Sequence, residues 1–298
     1  MDERVTRTRR TARIHLLAAR TAPVVIVLRR KPTRVFHVLR WDTRTDTIAA
    51  GSWFFGRIYE KRCDVSPDGA WMIYFAAAPG STKTWTGLAQ PPWLKALAWH
   101  AGTGTWLGGG FWRDAGTLCV TAYPGWAAPD LQSDRAAKLP FAVERHDWRR
   151  DAGDLEVLTH RFDRDWEIDA GRSAPWTTVA SGGNWSVCGV TWCWMRRPTA
   201  KHPTLRVRGP VDTATGFTFV LDEEPALLAD ADWAEYDALG QLVFARVGVL
   251  YRSTLADLRA GRITQSIDLE PLQPPARTPP STAGLLQSAP ERDAKRRR

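Results

Sequence analysis

The chain has 298 residues, 44% hydrophobic and 24% charged, enough apolar surface to bury a large core in one all-β domain or two smaller ones. Its net charge of +9 resembles a nucleic-acid signal until it is located: residues 1–13 hold a surplus of +3 and residues 271–298 one of +4, leaving +2 for the body between. A near-neutral body offers no stripe of cations for a phosphate backbone, so the basic ends read as solvated tails with weak, sequence-independent affinity for polyanions. Specific nucleic-acid recognition is not expected. The N-terminal apolar stretch is broken by Arg13 and Arg20, too short and too charged for a signal segment or a membrane span.

Strand-sized segments recur along the chain. The first set is Val24 to Leu28, Val35 to Arg40 and Thr47 to Gly51, with a polar turn at residues 41–46. The second begins at Arg62 and contains residues 63–78, CDVSPDGAWMIYFAAA. Two apolar runs there flank Ser66-Pro67-Asp68-Gly69, where Pro67 presets φ and Gly69 accepts a positive φ, so the chain reverses and pairs with itself. A polar link around Lys83 follows, then strands at Leu94 to Trp99 and Thr105 to Leu107. The third set starts near Phe111, with Leu118 to Tyr123 as its clearest strand, an unpatterned segment from Pro124 to Pro140, and outer strands at Glu156 to Phe162 and Trp166 to Ile168. The fourth is Trp185 to Met195, Leu205 to Arg208 and Phe217 to Leu221. The fifth, DWAEYDALGQLVFARVGVLYRS, reverses at Asp237 to Gly240 and again at Gly248. Leu255 to Ala260 is a short helix, and from Pro271 the Pro-rich composition cannot offset the entropy of ordering.

The strand, SPDG turn and aromatic-rich strand resemble the inner strands of a blade in WD-repeat-like and Tol-type β-propellers, and the Asp237 to Gly240 hairpin is similar. The resemblance implies an all-β fold, a single propeller of four-stranded antiparallel blades. Five sets at roughly 50 residues each give five blades, with six as the alternative. Residues 1–13 form a basic arm, 14–270 the propeller and 271–298 a disordered tail. The ring is expected to close by Ile14 to Leu17 pairing, as an outer strand, beside Ile267 to Leu269. Sixteen Trp between Trp41 and Trp233 suit wedge-filling between stacked sheets.

The fold leaves function open. Three glycine- and aromatic-rich connections, at residues 51–56, 108–112 and 181–185, should converge on the loop-bearing face, making Trp53, Phe54, Phe55, Trp112, Asn184 and Trp185 candidates for stacking a ligand or a partner's side chain. Channel plugging is the plainer role for the same aromatics. A propeller glycosidase needs two inward carboxylates about 5–10 Å apart, and only Asp64 and Glu235, near the starts of inner strands, are placed for it. Asp64 also has an ordinary role beside the SPDG turn, so no catalytic residue is assigned. Four Cys without a CxxC pair, and six His without HxxxH, give neither a metal site nor a disulfide framework. The reading is a monomeric, cytoplasmic, non-catalytic binding module for a protein or small ligand, with no cofactor. A glycoside hydrolase and a weak nucleic-acid binder acting through the tails are the alternatives.

Overall fold

The computed structural model describes residues 11–80, 83–102, 104–105, 107–122, 139–147, 167–168, 177–181, 184–188, 191–210, 217–222 and 224–275, with Leu131 and Arg161; over 168 and 177–192 the description is of the backbone. Blade 1 is β1 (Arg13–Ala18), β2 (Val24–Arg30), β3 (Val35–Asp42) and β4 (Thr47–Phe55), paired in that order and antiparallel throughout. Blade 2 has β5 (Arg57–Ile58), β6 (Asp64–Val65), β7 (Met72–Ala77), β8 (Thr84–Ala89) and β9 (Ala98–Gly102); its inner position is split between β5 and β6, which both pair with β7. Blade 3 is β10 (Gly110–Asp114), β11 (Thr117–Ala122) and β12 (Ala142–Asp147).

Blade 4 takes β13 (Glu167–Ile168), β16 (Thr191–Arg196), β17 (Leu205–Pro210) and β18 (Thr218–Leu221), while β14 (Thr177–Ser181) and β15 (Asn184–Cys188) form a separate hairpin. Blade 5 is β19 (Trp233–Tyr236), β20 (Leu242–Arg246), β21 (Val249–Ser253) and β22 (Gln265–Asp268), with the short helix α1 (Leu255–Arg259) before its last strand. This is a five-bladed β-propeller.

Alternation along each strand explains why the blades stack. In blade 1, Ile14, Leu16, Val25, Val27, Leu39 and Trp41 point to one side and share a core with Trp233 and Leu250 of blade 5; Leu17, Val24, Ile26, Leu28, Phe36 and Val38 point to the other and share a core with Val65, Met72 and Tyr74 of blade 2. A strand buried on both faces reads as a continuous apolar run, and β2 does.

Several expectations change. The N-terminal strand pairs with β2 as the inner strand of blade 1, in register Arg13↔Arg30 to Ala18↔Val25, and does not pair with β22. The ring closes face to face, without a shared strand. β8 replaces the expected polar link: its Thr84, Thr86 and Leu88 are buried, Thr serving as the small β-branched residue of a crowded sheet. Among the described residues blade 3 has three strands, and its outer one is parallel, Thr117↔Ala142 to Ala122↔Asp147; the strand expected at Glu156 to Phe162 lies, but for Arg161, outside the described residues. The long stretch after Ala122 supplies the length a parallel return demands. Glu167 and Ile168 belong to blade 4, not blade 3, and the single strand expected at residues 185–195 is two. Ordered chain also runs past residue 270, since the Leu272 carbonyl accepts from Arg29 Nη2 at 2.9 Å.

The two hairpins that announced the fold have matching construction. Gly69 (φ +73°) closes against Val24, with Trp71 N donating to Ser66 Oγ at 2.9 Å. Gly240 (φ +75°) closes the other turn, where Asp237 Oδ1 accepts from Leu239 N at 2.9 Å and Gln241 N at 2.8 Å. Trp71 is half-buried: it lies one residue before β7 and meets Phe141 edge-on at 5.4 Å.

Candidate functional site

Asp64 and Glu235 stand five residues ahead of turn glycines Gly69 and Gly240, at equivalent places in the inner strands of blades 2 and 5. That position brings both to the centre of the ring, where Arg161 lies between them. Its Nη2 donates to Glu235 Oε2 at 2.6 Å, its Nε is 3.6 Å from Asp64 Oδ1, and its Nη1 reaches the Leu16 carbonyl of blade 1 at 3.4 Å. Blade 4 joins through Arg196, whose Nη1 is 3.4 Å from Glu235 Oε1 and donates to the Tyr236 carbonyl at 3.0 Å. Blade 3 joins through the Trp112 amide, which donates to Asp64 Oδ2 at 2.8 Å. One ionic cluster therefore ties all five blades.

Asp64 is 0% exposed, Glu235 3% and Arg161 2%. Charges so deeply buried are tolerated only when paired and hydrogen-bonded, and removal of one partner strands the others. Above the cluster sits Trp233, with His15 tilted against it at 4.0 Å between centroids and the Arg161 guanidinium 6.0 Å from its ring; Lys61 lies 4.6 Å over Phe217. Burial, then the positive charges of Arg161, Lys61 and Arg30, hold the His15 imidazole well below its ordinary pKa. It is a neutral imidazole at pH 7.

This arrangement brings together the two carboxylates a glycosidase would use, but spends both. A general acid must hold a proton to give, and a nucleophile must face substrate. Asp64 and Glu235 accept from cations and a backbone amide inside a closed core, which suits a structural rivet.

The aromatic candidates are dispersed. Trp112 is 0% exposed and packs with Ile73, Leu88, Leu118 and Val120 between blades 2 and 3, so it is a core residue and no part of a surface patch. Trp53, on the outer strand of blade 1, stacks on His37 at 3.9 Å with Arg29 5.8 Å over its ring. Phe54 faces the blade 1–2 core and meets Trp85 edge-on at 5.9 Å; Phe55 is half-buried. Asn184 and Trp185 are in β15, and their side chains lie outside the described residues. Among the described residues no three His, Cys, Asp or Glu lie together as metal ligands, and no helix is long and apolar enough to cross a membrane.

A cleft of about 310 Å³ opens elsewhere, between blades 4 and 5. Its walls are Pro203, Leu221, Tyr236, Leu239, Leu242 and Leu255, and its polar lining is Lys201, His202, Gln241 and Thr254. Most of that polar lining is occupied. Tyr236 Oη donates to the Pro203 carbonyl at 2.9 Å, His202 Nδ1 pairs with Thr199 Oγ1 at 2.8 Å, Gln241 Oε1 accepts from Arg252, and Thr254 caps α1. Burial pushes the Tyr236 hydroxyl up to about 12, against the charges of Arg196 and Arg197, so it stays protonated and committed to its carbonyl. Gly240 is required here twice over: its φ is positive, and a Cβ would fall 2.8 Å from His202 Nε2. Nothing in the sequence singled out Arg161, Arg196 or Lys201. Each lies in a segment whose neighbours across the ring are distant in sequence, and the only legible clue was the shared offset of Asp64 and Glu235 from their glycines.

No protein-family model matches the chain, nor does any curated protein sequence. The chain is similar in structure to an uncharacterised Listeria monocytogenes protein, with 10% identity over 88% of this chain and 85% of that one and a TM-score of 0.32. A likeness at that score bears on neither activity nor partner, and the propeller rests on the sheets themselves.

Proposed function

We propose that the chain is a non-catalytic binding propeller: a rigid ring whose centre is spent on stability and whose inter-blade surfaces take a ligand or partner. The observation that supports it is the commitment of Asp64 and Glu235 to Arg161. Among the described residues no inner strand presents a solvent-facing carboxylate pair, so the hydrolase alternative has no acid and no nucleophile to name there. The described cysteines Cys63, Cys119 and Cys193 are buried in the core, which suits a reducing, cytoplasmic setting. Burial pushes the Cys63 thiol up, which leaves it inert. A monomer fits a ring that closes on itself.

The test is a panel of nitrophenyl glycosides of differing sugar and anomeric configuration, with wild-type chain and Glu235→Gln. The expected result is no turnover by either, with Glu235→Gln lowering the unfolding midpoint. Turnover by wild type that vanishes in a folded Glu235→Gln variant overturns the reading in favour of the hydrolase.

A further inference from the structure

The cleft between blades 4 and 5 has a chemical bias. Its volume, about 310 Å³, falls at the small end of ligand pockets, and aliphatic side chains with the Tyr236 ring make most of its wall. Among the described residues Lys201 and His202 are the ionisable lining groups besides the tyrosine, whose hydroxyl is committed to Pro203, and no carboxylate lines the cleft. Among the described residues the Lys201 ammonium makes no ion pair, and His202 Nε2, on the side facing Gly240, makes no hydrogen bond while Nδ1 holds Thr199. Of the other cations near the cleft, Arg252 is spent on Asp46 and Gln241, Arg196 on Glu235 and the Tyr236 carbonyl, and Arg197 on the Thr204 hydroxyl. Gln241 and Thr254 are likewise engaged, so a ligand finds an apolar trough with a single available positive rim.

We infer that this cleft binds a small amphipathic carboxylate, an aliphatic chain lying against Leu221, Leu239, Leu242 and Leu255 with its anionic head at Lys201 and His202. This deepens the binding reading above and rests on it. Burial of methylenes against leucines supplies the affinity, and the lysine supplies the preference for an anion, a modest one because the ammonium is solvent-exposed. A partner that presents a free carboxylate on an apolar side chain meets the same requirement, but the cleft's size fits a free small molecule best.

The experiment is calorimetric titration of the full chain with octanoate and, separately, octan-1-ol, repeated for Lys201→Ala and Leu239→Asp. Both positions are exposed, so the variants should unfold as wild type does. Octanoate should bind with one-to-one stoichiometry about fivefold more tightly than octanol. Lys201→Ala should erase that preference, and Leu239→Asp, which puts a carboxylate at the rim, should abolish octanoate binding. Octanol binding as tightly as octanoate and indifferent to Lys201→Ala overturns the carboxylate assignment while leaving a binding propeller. Absence of heat with both probes overturns the cleft as a site. Neither result touches the glycoside panel, on which the parent reading stands or falls.

Discussion

The joint between blades 2 and 3 and the joint between blades 5 and 1 solve the same packing problem with different chemistry. Blades 2 and 3 are consecutive in the chain and meet through an apolar interface, Ile73, Leu88 and Ala98 against Trp112, Leu118 and Val120, with buried polar ties from the Trp112 amide to Asp64 and from the Gly109 amide to Thr86 Oγ1. Blades 5 and 1 also share an apolar core, but its rim is sewn with charge. Arg29, fully buried, donates from Nε to the Leu269 carbonyl at 2.7 Å and from Nη2 to the carbonyls of Glu270 at 3.2 Å and Leu272 at 2.9 Å; Glu270 in turn accepts from Lys31 and the Ala12 amide, and Arg252 Nε bonds Asp46 Oδ1 at 2.8 Å. The partners are more than 200 residues apart in sequence, so no short connection raises their effective concentration. A ring that closes without a strand shared between its ends needs extra bonds at the one joint the chain does not bridge.

The largest effect should fall at the apolar joint. Trp112→Ala removes a fully buried indole and should cost about 3–5 kcal/mol in urea unfolding; a loss under about 1 kcal/mol would show that the joint between blades 2 and 3 is loosely packed. At the charged joint, Arg29→Met should cost about 2–3 kcal/mol by leaving three carbonyls without their donor. Ending the chain at residue 275 should change little, whereas ending it at 268 should cost about as much as Arg29→Met. Combining the substitution with the shorter truncation should be strongly non-additive, because both remove the same bonds. Additive losses would mean that Arg29 stabilises something other than this joint.

Acid should act on the two joints unequally. Burial, with the Arg29 charge, lowers the His37 pKa to about 4, and His15 is lowered too; His37 lies on the side of blade 1 that faces blade 5, and His15 touches Trp233 of blade 5 from the inner strand. An unfolded histidine takes up its proton near pH 6.5, while the folded one resists until pH is far lower. The stabilisation is therefore full above about pH 6.5 and lost as pH falls toward 4, at no more than about 1.4 kcal/mol per pH unit for each histidine. Glu270 extends the trend. Burial works to raise its carboxyl, but the hydrogen bonds from Lys31 and the Ala12 amide, helped by the charges of Lys31 and Arg29, bring it lower, so its contribution goes only at still lower pH. Urea titrations from pH 7 to 4 should show a slope that His37→Gln flattens and Trp112→Ala leaves unchanged; an unchanged slope in His37→Gln would remove this histidine from the account. The smallest effect is at Trp71, where half-burial limits Trp71→Ala to about 1 kcal/mol.

What the sequence disclosed is what local chemistry governs. The turns at Gly69 and Gly240, the strand at Val24 to Leu28 and the count of five blades follow from φ preferences and alternation within a few residues. The strand Thr84–Ala89 was hidden because threonine serves a buried sheet as well as a polar loop, and the parallel partner of β11 because parallel pairing leaves no turn to read. The centre was half-legible: Asp64 and Glu235 could be placed on inner strands, but Arg161, which pairs with both, comes from a segment with no local signature. Glycine-rich flanks at Trp53 and Trp112 promised a shared surface. Burial separated them, since Trp112 occupies an inner strand between two blades while Trp53 sits on an outer one.

The hydrogen bond from the Ala12 amide to Glu270 has one more consequence. It places the start of the first strand beside the exit of the last, so the ring has no obligatory first blade. A circularly permuted chain, spliced from Gln273 to Ala12 through a short linker and opened at Gly80, an exposed turn glycine with no neighbour within 4 Å of a Cβ added there, would keep all five blades. In that molecule the covalent splice would take over the work of Arg29 and Glu270, and the blade 5–1 joint would become as ordinary as the others.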